Sequence, residues 1–597
     1  MSTDIKSTGL VTLTIKTEGK AIPDILDIQS VHIEKGVNRV SMAKISIIDG
    51  NASTGEFEAS SSADFVPGNE VTIEAGYDSD NKLLFKGIIT KQSIKIHGNE
   101  GAILEVECRD PAIKMVVGRK SLTFAKKKDS DIIKSIISSY SGLKASVTAT
   151  TTQWPEQVQY YTSDWDYVMS LAEANSMIVT TLNGEVAVFP PDKNKSPVLE
   201  IEYGNNLLEF NANLNSVNQL ASVKASSWDF KTQKVIDGKT NSSLKGPGNL
   251  STKQLSEVVG LKEYELQTTA PLPKADLTNW TKAEVIKSEY AKIQGEAKFQ
   301  GTSLVDPGKY ITLSGLGDRF NGDHLVSGVS HVIGDGNWTT EASVGLSTIW
   351  FTEEPDVMAP PAAGLLPGVQ GIYNGTVKQI HEDPDNQYRV LVDVPMFDLT
   401  GKGIWTRLAN FYATSNAGSF FYPEVGDEVV VGFLNEDPRY PVILGSLYSS
   451  SKHKPFKGLT PDKKNPKKAI VSKTGIYIEF DDENKVFTIN TPSKNQAIFS
   501  DKDKKITIKD QNGNSAEMSS SGITIKSPKN ITIQASQKLT LKGNTGVDIQ
   551  SSGGDVNIKG LNINNKANVK FSANGSAQAE LKGGAQTTIK GAMVMIN

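Results

Sequence analysis

Residues 531–549 repeat one short phrase three times. Ile531-Thr532-Ile533, Leu539-Thr540-Leu541 and Val547-Asp548-Ile549 each begin eight residues after the last. In a strand, alternate side chains point to opposite faces, so both aliphatics of a phrase share one face and the polar residue takes the other. Two buried aliphatics release less free energy than ordering eight residues consumes. Such a repeat cannot shelter its own apolar stripe and has to stack on copies of itself. The same grammar runs from Ile476 to the end, in IYIEF, ITIKD, ITIKS, ITIQA, VNIKG, LNINN and TTIKG, with the spacing slipping to nine between Val547 and Val556. Two architectures satisfy it. One chain can coil into a solenoid with three eight-residue sides per turn, or three chains can wind about one axis, each supplying a side. The repeat leaves both open. In either case Ile531, Ile533, Leu539, Leu541, Val547 and Ile549 are the expected core.

The rest of the 597 residues is too long for one core and predicts about three to five domains. Residues 1 to about 125 read as strands, in VTLTIKT, AKISII, EVTIEAGY, LLFKGIITKQSIKI and AILEVECRD. The pattern then predicts a helix at SDIIKSIISSY with Ser130 as N-cap, and another at SDWDYVMSLAEAN capped by Ser163 or Asp164. A hairpin follows about Asn183-Gly184. More strands fill 200–350, broken by one helix near NWTKAEVIKSEYAKIQGEA. The proline-rich stretch 353–370 reads as a linker, and five short strands over 371–450 fit a small closed barrel of the oligomer-binding (OB) type. A lysine- and proline-rich connector over 451–470 leads to the repeat region, 471–597.

Several segments then resemble one family. VHIEKGVNRVSMAKISIIDG, FVPGNEVTIEAGY, LEVECRDPAIKMVVGRKS and VQYYTSDWDYVMSLAEAN are similar to the hub region of VgrG (Rhs-element Vgr) proteins. GTVKQI, YRVLVDVPMF, WTRLA and YPEVGDEVVVGFLNEDPRYPVILGSLY resemble that family's OB domain, and GAQTTIKGAMVMIN resembles the last turn of its needle. The resemblance implies a mainly β, multidomain chain. A phage-tail-hub-like region over 1–352 would hold two barrel-like domains with α+β insertions, followed by the OB domain and a C-terminal triple-stranded β-helix. It also implies a function: the homotrimeric spike of a type VI secretion system or related contractile injection machine, puncturing a target membrane mechanically and carrying effectors. The implied partners are a hexameric inner-tube protein at the hub, baseplate components, and a PAAR-repeat tip protein. The tip protein would sit on a platform of Gly591, Ala592, Met593, Val594, Met595, Ile596 and Asn597. The resemblance is to members without a fused toxin domain after this point, and no lysozyme insertion is expected between the OB domain and the needle. The alternative is a single-chain β-solenoid acting as a polysaccharide-degrading enzyme or adhesin.

The residues offer little chemistry. Lysine plus arginine number 63 against 67 acidic residues, so no general attraction to nucleic acid or anionic lipid is expected. The aromatic run FYATSNAGSFFYPEVGDE is flanked by acidic groups, and packing on the hub is its expected use. The six histidines show no metal-ligand spacing, and His324 and His331 read as ordinary polar positions, so neither metal nor cofactor is expected. Carboxylate groups such as Asp481-Asp482-Glu483 and Glu353-Glu354 sit in connectors. After residue 500 only Phe571 offers an aromatic face on which a sugar could stack, so no catalytic residue is assigned. Cys108 is the single cysteine, which fits a reducing compartment. The N-terminus lacks a basic and apolar leader, so the expected route is assembly in the cytoplasm and ejection with the machine.

Overall fold

The computed structural model describes residues 9–98, 101–192, 194–397, 399–459 and 461–596. Strand outweighs helix, 39% against 11%, and the chain is mainly β as expected. Two compact units divide it, one ending at Leu447 and the other beginning at Tyr448.

The first unit is organised on one thirteen-stranded sheet. Its first half pairs Val11–Thr17, Glu70–Tyr77, Lys82–His97, Gly101–Arg109, Met42–Ile48 and Asp27–Gly36 in that order, all antiparallel. Alternate residues of these strands, among them Val31, Ile33, Ile45, Ile73 and Val106, are fully buried in one core. The second half pairs Gly322–Gly334, Asn337–Val344, Ile293–Gln300 and Leu207–Leu214. Its separate core includes Ala297, Phe299, Ile311 and Val326. The two halves are joined where Gly322–Gly334 pairs antiparallel with Asp27–Gly36, His331 opposite Ile33. Across this seam Lys35 Nζ lies 2.8 Å from Asp306, a nearly buried ion pair. Burial pushes the Asp306 carboxyl up, but Lys35 and Lys309 outweigh it and hold the group below its ordinary range.

The three helices expected in this unit form. Asp129–Ser138 starts one residue before the expected cap: Lys128 is the N-cap, and Ser130 is buried in the first turn with its N–H donating to Thr150 Oγ1. Two acidic residues, Asp129 and Asp131, instead favour the positive N-terminal end. Ser163 does cap Asp164–Ala174, its hydroxyl accepting from the Asp166 N–H at 3.0 Å. The Asn183-Gly184 hairpin forms with both residues at positive φ, 56° and 84°. The third of the expected helices is Lys274–Tyr290, which ends earlier than its sequence pattern implies. Gln294, Gly295, Glu296 and Ala297 belong instead to Ile293–Gln300, whose pairing on both edges overrides helix propensity. A helix at Thr252–Val259 was not expected, although Ser251 and Gln254 form a reciprocal capping box before it and Gly260 ends it at φ 75°.

Five strands close into a barrel in the order Tyr373–Gln379, Val390–Asp393, Ile404–Leu408, Pro441–Ser446 and Glu428–Phe433. Its core is mostly valine, from Val377, Val390, Val392, Val429 and Val431, with Ile443. Gly375 is required there, because a Cβ would stand 2.4 Å from Val392 Cγ1.

The second unit contains a seven-stranded antiparallel meander from Lys467–Val471 to Gly522–Lys526, so its first strand begins within the stretch read as a connector. Beyond it, residues 527–596 contain no strand pairing among the described residues. A single-chain solenoid requires parallel ladders between successive coils of one chain, and none forms there.

Candidate assembly surface

The meander is one layer thick and has one apolar face. Register places Phe480 opposite Phe487, Phe487 opposite Phe499, Phe499 opposite Ile506, Ile506 opposite Met518 and Met518 opposite Ile523. Two residues along the strands, Ile478, Ile489, Ala497, Ile508, Ala516 and Ile525 form a second column on the same face. The phenylalanine rings follow one another at 5.2 and 5.9 Å. The other face is mostly polar and carries the cross-strand pairs Lys467–Glu479 at 3.1 Å and Lys505–Glu517 at 3.3 Å. Nothing among the described residues covers the apolar face, and Phe480, Phe499, Ile508 and Ile525 are exposed. Beyond Ile443, no described apolar side chain is buried; the buried residues of the second unit are Asn490 and Ser500, both in polar turn contacts.

The unpaired tail keeps a regular local geometry. Ile531, Leu539 and Val547 are 55%, 53% and 53% exposed, and their partners Ile533, Leu541 and Ile549 are 68%, 66% and 69% exposed. The two positions of a phrase therefore meet nearly the same surroundings in these three repeats, whereas Leu561 and Val569 further on are wholly exposed. Glycines mark the corners: a Cβ on Gly575 or Gly583, one repeat apart, would lie 2.2 or 2.3 Å from the carbonyl oxygen three residues on. At the end, Met593, Val594, Met595 and Ile596 stand exposed after Gly591 and Ala592, while Asn597 lies outside the described residues.

The titratable groups singled out in the sequence take structural positions. His331 is fully buried, its Nδ1 3.0 Å from Thr340 Oγ1, and burial pushes its pKa down to about 3. His324 Nε2 lies 2.7 Å from the Phe320 carbonyl, and burial lowers its pKa to about 4. No described cluster of three or more histidine, cysteine or carboxylate side chains could hold a metal ion. Burial pushes the Cys108 thiol up to about 12, which leaves it unreactive. Asp481 accepts from the Asn484 amide and side chain, Asp482 pairs with Lys468 and Glu483 with Lys464, so this carboxylate run organises the meander's first turns.

The aromatic run of the barrel does not pack on the hub within the chain. Phe411 is wholly exposed and Tyr412, Phe420 and Phe421 largely so, about the short hairpin Ala413–Thr414/Ala417–Gly418. No described helix is long and apolar enough to cross a membrane. Exposed large apolar side chains run through the meander, the tail and this hairpin, as they also do at scattered positions of the first unit.

A joined double-core sheet, a closed five-stranded barrel and a seven-stranded meander with one exposed apolar face define a multidomain, mainly β protein. Comparison with known proteins specifies the family. Residues 7–335, more than half of the chain, match the model of the Alg8 N-terminal domain, and the chain belongs to that family. Residues 373–448 match the type VI secretion system/phage-baseplate injector OB domain. Among curated relatives, the Vibrio cholerae type VI secretion system spike protein VgrG3 is 44% identical over 52 residues, 9% of this chain and 5% of its own length. The Pseudomonas aeruginosa spike protein VgrG1b is 25% identical over 217 residues, 34% of this chain and 28% of its own. The matched regions thus span less than a third of either relative. The VgrG resemblance read from the sequence is borne out by these matches. A solved prophage MuSo2 43 kDa tail protein from Shewanella oneidensis aligns with a TM-score of 0.44 at 12% identity, over 57% of this chain and 99% of that one.

Proposed function

We propose that this chain is the structural spike of a contractile injection machine, assembled as a homotrimer. The observation that carries the reading is the missing core of the second unit: a region with strand grammar throughout buries not one described apolar side chain on its own. Three copies wound about an axis would bring the apolar face of the meander and the paired aliphatics of the tail together, leaving lysine, threonine and aspartate outward. Backbone groups left open along residues 527–596 would then pair between chains, so the shaft would present no free sheet edge. Stiffness and shape are the function, and no residue is assigned a catalytic role. The hub would engage a hexameric inner-tube protein and baseplate components. Residues 591–597 would seat a PAAR-repeat tip protein, and effectors would travel with the assembly from the cytoplasm. The solenoid enzyme or adhesin is the weaker reading, because the tail lacks the in-chain ladder it needs.

Mass in solution tests this directly. The intact protein is expected at three times its chain mass of 64.4 kDa; a well-folded species of one chain mass would overturn the proposal.

A further inference from the structure

A cavity of about 830 Å³ opens in the helical region of the first unit, bounded by Asp164–Ala174, Lys274–Tyr290, Tyr264–Thr268 and the segment about Trp350. Its size is that of small-molecule sites generally. The lining is strongly one-signed: Asp129, Glu173, Asp276, Glu284 and Glu353 contribute carboxylates, and no described lysine or arginine lines it. Three of the five are already engaged, Glu353 by accepting the Trp350 backbone N–H at 3.3 Å. Glu173 pairs with Lys287 at 2.5 Å and accepts the Phe351 N–H, while Glu284 accepts the Trp350 indole N–H at 2.7 Å.

The remaining polar groups are not satisfied. Asp129, 6% exposed, accepts from Asn175 through Oδ2, but no hydrogen bond reaches its Oδ1. Gln157 and Trp154 stand near enough to favour its charged form without making one of good geometry. Asp276 Oδ2 and Gln157 Oε1 are likewise buried acceptors with no donor, against one buried donor without an acceptor, Trp154 Nε1; Thr152 lowers the Asp276 carboxyl against the larger effect of burial. Asp129 and Asp276 are close enough for one charge to act on the other, and burial pushes both carboxyls up. Buried acceptors without donors are costly, and a cluster of them facing one cavity calls for a donor-rich occupant. Two indoles, from Trp154 and Trp280, add ring surface of the kind that attracts a cation and packs on a hydrocarbon stem, while Lys287 Nζ already stands 5.2 Å from the centroid of the third, Trp350.

We infer that this cavity binds an alkylammonium group, its three N–H donors directed to Asp129, Asp276 and Gln157 and its methylene stem lying against the tryptophans. The charge excludes anions, and the orphaned acceptors favour an ammonium over an apolar filler. The same chemistry is supplied by a free polyamine or by a lysine side chain of a bound peptide. The inference does not depend on the spike reading, since it concerns a different region of the chain.

The test is titration of the full-length protein with spermidine, with cadaverine and with a lysine-rich peptide, followed by calorimetry and tryptophan fluorescence, with 1,6-hexanediol as the neutral control. Saturable binding of an amine or of the peptide at one site per chain is expected, and which of them binds identifies the source. Asp276→Asn and Asp129→Asn are each expected to weaken it by about tenfold or more, as loss of a charge-assisted hydrogen bond does. The remote, exposed Asp335→Asn leaves it unchanged. Thermal melting of each variant separates weakened binding from misfolding, and Asp276, being only half-buried, carries the result if Asp129→Asn unfolds. Absence of saturable binding, or binding indifferent to Asp276→Asn, shows a cavity filled by water alone and overturns the inference.

Discussion

His331 and His324 sit in one strand, Gly322–Gly334, at the seam of the large sheet, and both are held neutral by burial. Around His331, Lys35 reinforces the depression and Asp306 opposes it; around His324, Lys292 and Asp323 play those parts. An unfolded histidine titrates near pH 6.5, whereas these titrate at about 3 and 4. Between those limits the unfolded chain binds more protons than the folded one, so stability is complete above about pH 6.5 and is lost as pH falls. Chemical denaturation of the first unit within the full chain is expected to show lower stability at pH 5 than at pH 7. The difference should shrink in His331→Gln, and an unchanged difference would remove His331 from the account. The sequence marks these histidines as polar positions without a ligand pattern. It cannot show their burial, which depends on strands from the two ends of the unit meeting.

Alternation of apolar and polar residues is a property of a strand, but pairing is a property of two. The repeat region illustrates the difference. Its phrases are alike from Ile476 onward, yet the chain folds back on itself up to Lys526 and not after it. The turns explain why the meander is hard to recognise in the sequence. Lys485, Lys494 and Lys504 take positive φ in three successive turns, where no glycine announces a reversal. In the tail, glycines such as Gly575 and Gly583 make corners that close on a carbonyl three residues on, without producing an in-chain hairpin. Ile533→Asp is expected to abolish the trimer, because a carboxylate on the shared axis would have no partner. Thr532→Asp, on the opposite face, is expected to leave it intact. Light scattering of the two variants checks the pair, and an Ile533→Asp trimer as stable as the parent would refute the axial position.

For the molecule as a whole, the contrast between its two units matters most. The first has several packed cores and a closed barrel, and the second has none that one chain completes. Assembly and folding of the second unit are therefore expected to be one event, as in obligate oligomers. Deleting residues 591–597 should preserve the trimer while abolishing capture of the PAAR-repeat tip protein in a pull-down; retained capture would exclude these residues as the platform. The aromatic hairpin about Phe411 finds no cover among the described residues of its own unit.

Local order is legible in the amino-acid sequence alone. The period-two strands, the Ser163 cap, the Asn183-Gly184 hairpin, the five strands of the barrel and the thinness of the tail's apolar stripe all follow from residues close together in the chain. Long-range partnership is not. The seam between Asp27–Gly36 and Gly322–Gly334, the return of the meander, and the gathering of Asp129, Asp276 and three tryptophans about one cavity join residues far apart. Periodicity reports which face of an element seeks cover, but the covering surface depends on how the whole chain, or several chains, come together in space.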